Sequence, residues 1–221
     1  QVGSSAASDV YKRQEGGGEI LPTEAPHFSR KEIAEGWRLG CQVKVKQDMV
    51  IQVPEEVFGI KKWEATVVRN WNVASFIKEF VVKIPEDMGY KAGGYIQIEI
   101  PECEIDFNDI NIDSHPEEHP GEPKKFQLEW DKFKLWDLKM KNTELVERAY
   151  SMASYPAEGK EIMLNVRIAT PPWDRNANSW MNVNPGVASS YIFSKKPGDK
   201  VTISGPFGEF FINESEAEML Y

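Results

Sequence analysis

The chain has 221 residues, 41% apolar and 11% aromatic, enough to bury the core of one domain and part of another. Its net charge of -9 and lack of any basic run argue against a nucleic-acid partner, because nothing would displace counterions from a phosphate backbone. Cys41 and Cys103, the two cysteines, have no paired spacing, which disfavours a disulfide framework and points to a reducing compartment. No apolar run reaches the roughly 18 residues that cross a bilayer, and no signal-peptide core is present, so the chain as given reads as soluble.

Residues 1–14, QVGSSAASDVYKRQ, are small, polar and without period, and read as a disordered or foreign tail. Residues 15–54 change character. Ser29 N-caps a short helix, with Glu32 completing a capping box and Gly36 ending it. Leu39–Val45 alternates apolar and polar residues and predicts a strand, and Met49–Pro54 predicts a second. This stretch is too short to hold its own core and reads as the tail of a larger domain.

From Trp63 onwards strands dominate. They are expected over Glu64–Asn70, Ser75–Ile84, Gly93–Ile100, Leu145–Met152, Glu161–Ile168 and Lys200–Ser204. Between the third and fourth, residues 101–142 begin acidic and Pro-rich and read as a surface insertion, with Trp130–Leu138 aromatic enough to cover a face. His115 and His119 stand four apart, but Pro116 and Pro120 argue against the helix a metal pair would need. Gly186–Phe193 predicts one short helix. Short strands with turns between them predict a mainly β, closed antiparallel barrel.

Three groups of residues carry chemistry. In Arg148-Ala149-Tyr150-Ser151, strand alternation puts Arg148 and Tyr150 on one face and Ser151 on the other. A guanidinium suits phosphate and a phenol ring suits a flat heterocycle, although alone such a pair also fits an ordinary surface. Gly186-Val187-Ala188-Ser189-Ser190 opens a helix whose first N–H groups favour an anion, or merely caps it. Gly205-Pro206-Phe207-Gly208 makes a tight turn where another backbone can approach closely.

In this order the three groups resemble the ferredoxin-NADP reductase flavoprotein superfamily. Arg148–Ala153, Leu164–Pro172, Ser189–Ile192 and Ile203–Phe211 are similar to the F subunits of sodium-translocating NADH:quinone oxidoreductases. The resemblance runs from about Glu15 to Tyr221. It implies a six-stranded antiparallel Greek-key FAD-binding barrel with one short helix over residues 55–212. It further implies that residues 15–54 are the C-terminal remnant of a plant-type [2Fe-2S] ferredoxin domain, and that residues 213–221 begin an NADH-binding domain. Arg148 would contact the FAD pyrophosphate, and Tyr150 would stack on the isoalloxazine. Ser151 would hydrogen-bond near flavin N5, with Tyr150 and Ser151 forming the catalytic pair and Ala149, just before them, part of the cofactor-binding strand. Arg167, with the backbone from Asn165 and Val166 to Ala169, would lie along the adenosine and phosphate part. Gly186, Ser189 and Ser190 would bind the pyrophosphate, and Gly205–Gly208 would face the NADH domain. Cys41 would be the fourth [2Fe-2S] ligand of the intact protein; alone it holds no cluster, since plant-type clusters need four ligands.

The implied activity is hydride acceptance from NADH on FAD, with electrons passed to a [2Fe-2S] centre. The implied partners are other components of a membrane-bound quinone reductase, at the cytoplasmic face of a bacterial inner membrane. This stretch alone would fall short of NADH oxidation. An oxygenase reductase of the same superfamily and a non-catalytic β-barrel binding module are the alternatives.

Overall fold

A computed structural model describes residues 11–40, 42–52 and 61–208. Its internal contacts divide the chain into two units, Gln1–Ile60 and Lys61–Tyr221. No helix among the described residues is long and apolar enough to cross a membrane.

In the first unit, β1 (Tyr11–Glu15) lies between β2 (Trp37–Leu39) and β3 (Val50–Gln52), antiparallel to both. Before β2 comes the short helix α1 (Arg30–Ala34), closed by the expected reciprocal cap. Ser29 Oγ accepts from the Glu32 N–H at 3.2 Å, and Glu32 Oε2 accepts from the Ser29 N–H at 2.7 Å. Gly36 follows at φ 82°. Two expectations are corrected here. Tyr11–Gln14, assigned by composition to a tail, are strand, because ladder pairing on both sides outweighs a polar sequence. Of the strand expected over Leu39–Val45 only Leu39 is strand, as the last residue of β2, and Gln42–Val45 are not strand. A buried ion pair crosses the unit. Arg38 reaches Glu24 with Nε and Nη2, while its Nη1 donates to the carbonyls of Gly17 and Gly18 at 2.7 and 2.9 Å.

The second unit is built on β4 (Lys61–Ala74), β5 (Ile77–Lys83), β6 (Tyr95–Ile100), β7 (Cys103–Asp106), α2 (Gln127–Lys132), β8 (Lys139–Asn142), β9 (Val146–Ser151), β10 (Glu161–Arg167), β11 (Trp173–Asp174), β12 (Ser179–Trp180), α3 (Val187–Ser194) and β13 (Lys200–Phe207). Six strands form one antiparallel sheet in the order β10-β5-β4-β13-β6-β9. The last strand, β13, returns between β4 and β6, which is a Greek-key return. Just past β9 the two edges meet. The Ala153 N–H donates to Met163 O at 2.8 Å, and the Met163 N–H donates to Ser154 Oγ at 3.1 Å. The fold is therefore mainly β, with all six expected strands present.

Alternation fills the interior. Trp63, Ala65 and Val67 of β4 face inward with Ile96, Ile98 and Ile100 of β6 and Ile162, Leu164 and Val166 of β10. The stretch 101–142 is more than a surface insertion. It adds the β7–β8 pair, and Phe107, Ile112, Trp130, Leu135 and Met140 are buried in the same core. Trp130 stacks at 6.3 Å on Phe193 of α3 and donates its indole N–H to Ser75 O at 2.6 Å. Spread singly among acids and prolines, these apolar residues have no period that sequence alone reveals.

Candidate functional site

β9 is an edge strand, paired on one side with β6 through Ile96↔Tyr150 and Ile98↔Arg148. Directly opposed residues share a face, so Tyr150 and Arg148 lie on the side of the buried Ile96 and Ile98. Ala149 and Ser151 lie on the other side, both exposed, as the alternation predicts. Tyr150 is half-buried and packs on the core. Burial pushes its phenol up to about 12, against the pull of the Arg148 guanidinium, so it stays a neutral aromatic plane at physiological pH. Arg148 is exposed; one of its nitrogens donates to Glu147 O at 2.8 Å. The rest of its planar fork faces solvent and suits a bidentate anion.

The opposite edge strand, β10, exposes Asn165 and Arg167 and buries Val166 between them. The Val166 side chain is part of the core, so only its backbone is available to a ligand. Two residues past Arg167, Ala169 grips the start of α3. The Gly186 N–H donates to Ala169 O at 2.8 Å, and the Ala169 N–H donates to Ser189 Oγ at 3.0 Å. Ser189 Oγ in turn donates to Gly186 O at 3.1 Å. A Cβ on Gly186 would stand 2.6 Å from Ala169 Cβ, so glycine is what permits this approach. The first-turn N–H groups of an α-helix lack intrahelical acceptors and carry the positive end of its dipole. This lock therefore fixes an anion-favouring helix tip beside the strand that carries Arg167.

Ser189 spends its hydroxyl on the lock. Ser190 is fully buried, and its Oγ finds no hydrogen-bond partner among the described residues. The structure thus gathers the expected residues into two groups. Arg148, Ala149, Tyr150 and Ser151 stand on one sheet edge. Asn165, Val166, Arg167, Gly186 and Ser189 stand on the other edge and its attached helix, and the two edges join at Ala153 and Met163. Gly205 lies within β13, and Gly208 directly follows it. Residues 213–221 and Cys41 lie outside the described residues. The backbone as far as Ala169 was expected to line the ligand; its grip on Gly186 and Ser189 was not, because a backbone contact leaves no residue-type signal.

Taken separately, a guanidinium and a helix tip suit phosphate and a neutral phenol plane suits a flat ring, the parts of a dinucleotide such as FAD. A [2Fe-2S] cluster does not fit. It requires four ligands, the chain has two cysteines, and no group of three His, Cys, Asp or Glu is placed to hold a metal among the described residues.

Residues 118–212 match the family model described as Oxidoreductase FAD-binding domain. The chain is 54% identical to the F subunit of the Na(+)-translocating NADH-quinone reductase of Actinobacillus succinogenes, over 99% of this chain and 50% of that protein. Against the counterpart of the same name in Neisseria gonorrhoeae it is 55% identical, over 93% of this chain and 48% of the relative. The chain thus spans about half the length of the curated relatives it matches. Among solved structures, the cytochrome P450 reductase GcoB of Amycolatopsis aligns at TM-score 0.48 and 19% identity, over 94% of this chain and 48% of that one.

Proposed function

We propose, starting from the chain's homology to the F subunits of Na(+)-translocating NADH-quinone reductases, that its second unit is the FAD-holding module of such an enzyme. The observation that carries this reading is the β9 pair, an exposed Arg148 and a half-buried, neutral Tyr150 on one face of an edge strand. FAD, when bound, supplies a ring able to accept a hydride and release single electrons. The protein's work is to bind and orient it. Arg148 neutralises pyrophosphate charge, and Tyr150 offers its ring face to the isoalloxazine. Ser151, at the strand's end, supplies a hydroxyl for the flavin N5 region, and Ala149 adds backbone. Asn165, the Val166 backbone and Arg167 line the adenosine and phosphate portion. The first turn of α3 offers the N–H groups from Val187 to Ser189 to the pyrophosphate, while Gly186 and Ser190, whose own N–H groups are bonded to Ala169 O and Gly186 O, frame that turn.

The hydride donor in the full-length protein is NADH, bound by a following domain that residues 213–221 begin. Its proposed electron acceptor is a [2Fe-2S] centre ligated in part by Cys41, in a complex at the cytoplasmic face of a bacterial membrane. The 221 residues carry too few thiolates to complete that cluster themselves.

FAD titration followed by flavin absorbance tests the site. Arg148→Ala and Tyr150→Ala are each expected to weaken FAD binding about tenfold or more, the range for losing a charge-assisted contact or a packed aromatic. Unchanged FAD affinity in both, with the fold intact, would falsify the assignment.

A further inference from the structure

The rear of α3 is held by a buried polar clamp that the expected site residues do not include. Asn70, on β4, is nearly inaccessible, and its side-chain amide donates both hydrogens to α3 carbonyls, Ile192 O at 2.8 Å and Lys195 O at 2.8 Å. These belong to the last turn and the C-cap, and Ile192 O also accepts from the Lys195 N–H at 3.1 Å, so Asn70 ties down the closing turn of the helix. Behind Asn70 sits Lys78 of β5, fully buried. Its Nζ donates to Asn70 O at 3.1 Å and Asn111 O at 2.6 Å and lies 5.3 Å from the centre of the Phe193 ring. No carboxylate forms an ion pair with Lys78 among the described residues. A buried ammonium is costly without a function, and here it stands beside the negative end of a helix dipole.

We infer that Asn70, braced by Lys78, is the positioning residue that sets where the first turn of α3 points, and thereby the grip on the dinucleotide pyrophosphate. The helix is short, eight residues, and pinned at both ends, by Ala169 in front and Asn70 behind. Releasing the rear pin lets the helix pivot about the front one. The inference rests on the FAD reading above.

The test compares ligands with and without pyrophosphate. FAD and riboflavin are titrated into the 221-residue chain and its Asn70→Ala, Asn70→Asp and Lys78→Met variants, with Ile84→Val as a core-weakened control. In Asn70→Ala, FAD affinity is expected to fall about tenfold while riboflavin affinity holds, as for one lost pair of buried hydrogen bonds. Asn70→Asp, nearly the same shape but without amide donors, is expected to fail as a rescue. Lys78→Met is expected to shift the same ratio, and Ile84→Val to leave it alone. A merely structural role would lower both affinities together in step with melting temperature, and that result overturns the inference, as does an unchanged FAD-to-riboflavin ratio. If Arg148→Ala also leaves FAD affinity unchanged, the site itself fails and the clamp falls with it. If Arg148→Ala releases FAD but Asn70→Ala does not alter the ratio, only the clamp fails.

Discussion

At the scale of single residues, the buried lysine makes the sharpest claim on stability. Burial drives the Lys78 ammonium down from 10.5 to about 7, Asp113 pulling it up and Lys124 pushing it down. The unfolded chain keeps that proton until about 10.5, whereas the folded chain releases it near 7. Between those values the unfolded state binds more protons, so folding stability rises with pH. Relative to Lys78→Met, the native chain is expected to gain up to about 1.4 kcal/mol per pH unit over that interval, measured by urea melts of both proteins. Parallel pH profiles would show that Lys78 stays charged or is solvated. The sequence disclosed none of this, because a lysine at an inward strand position looks like any strand lysine until the fold buries it. Arg148 and Tyr150 were legible because alternation alone assigns their shared face.

Among elements, the strands were readable and the helices only partly. The alternation of Tyr95–Ile100 and Glu161–Arg167 maps directly onto buried and exposed positions. The helix α2 escaped because Phe126 at its N-cap supplies no capping side chain and the helix is six residues long. The helix α3 was legible from its leading glycine, but the reason for that glycine was not. Gly186 is required less by its own φ of -59° than by the Ala169 methyl 2.6 Å from where a Cβ would stand. Gly186→Ala is therefore expected to cost about 1–3 kcal/mol through overpacking. It should also loosen FAD by pushing the helix tip off β10. A fully stable Gly186→Ala chain with native FAD affinity would mean that the helix shifts freely and that the front pin has no consequence for binding.

For the molecule as a whole, the chain divides into two units between Ile60 and Lys61. What the sequence could not show is how differently the two are held. The second unit has a continuous apolar core, whereas the described residues of the first are tied by the buried Arg38–Glu24 ion pair. Glu24 accepts from Arg38 and from the N–H groups of Leu21 and Leu39. Burial raises its carboxyl, but the Arg38 contacts and those backbone donors outweigh burial and hold it below the ordinary 4.5. A depressed carboxylate contributes stability that is present above its unfolded value and is lost as pH falls through the lower folded value. Acidification below about 4.5 should therefore weaken the first unit. Glu24→Gln should do so at neutral pH by leaving a buried guanidinium uncompensated, a loss of about 3–5 kcal/mol where such pairs are fully enclosed. Amide exchange reads the two units separately. The Leu39 N–H should lose protection in Glu24→Gln, while the β6 and β13 amides keep theirs. If Leu39 stays protected, the ion pair is dispensable; if β6 opens as well, the two units unfold as one.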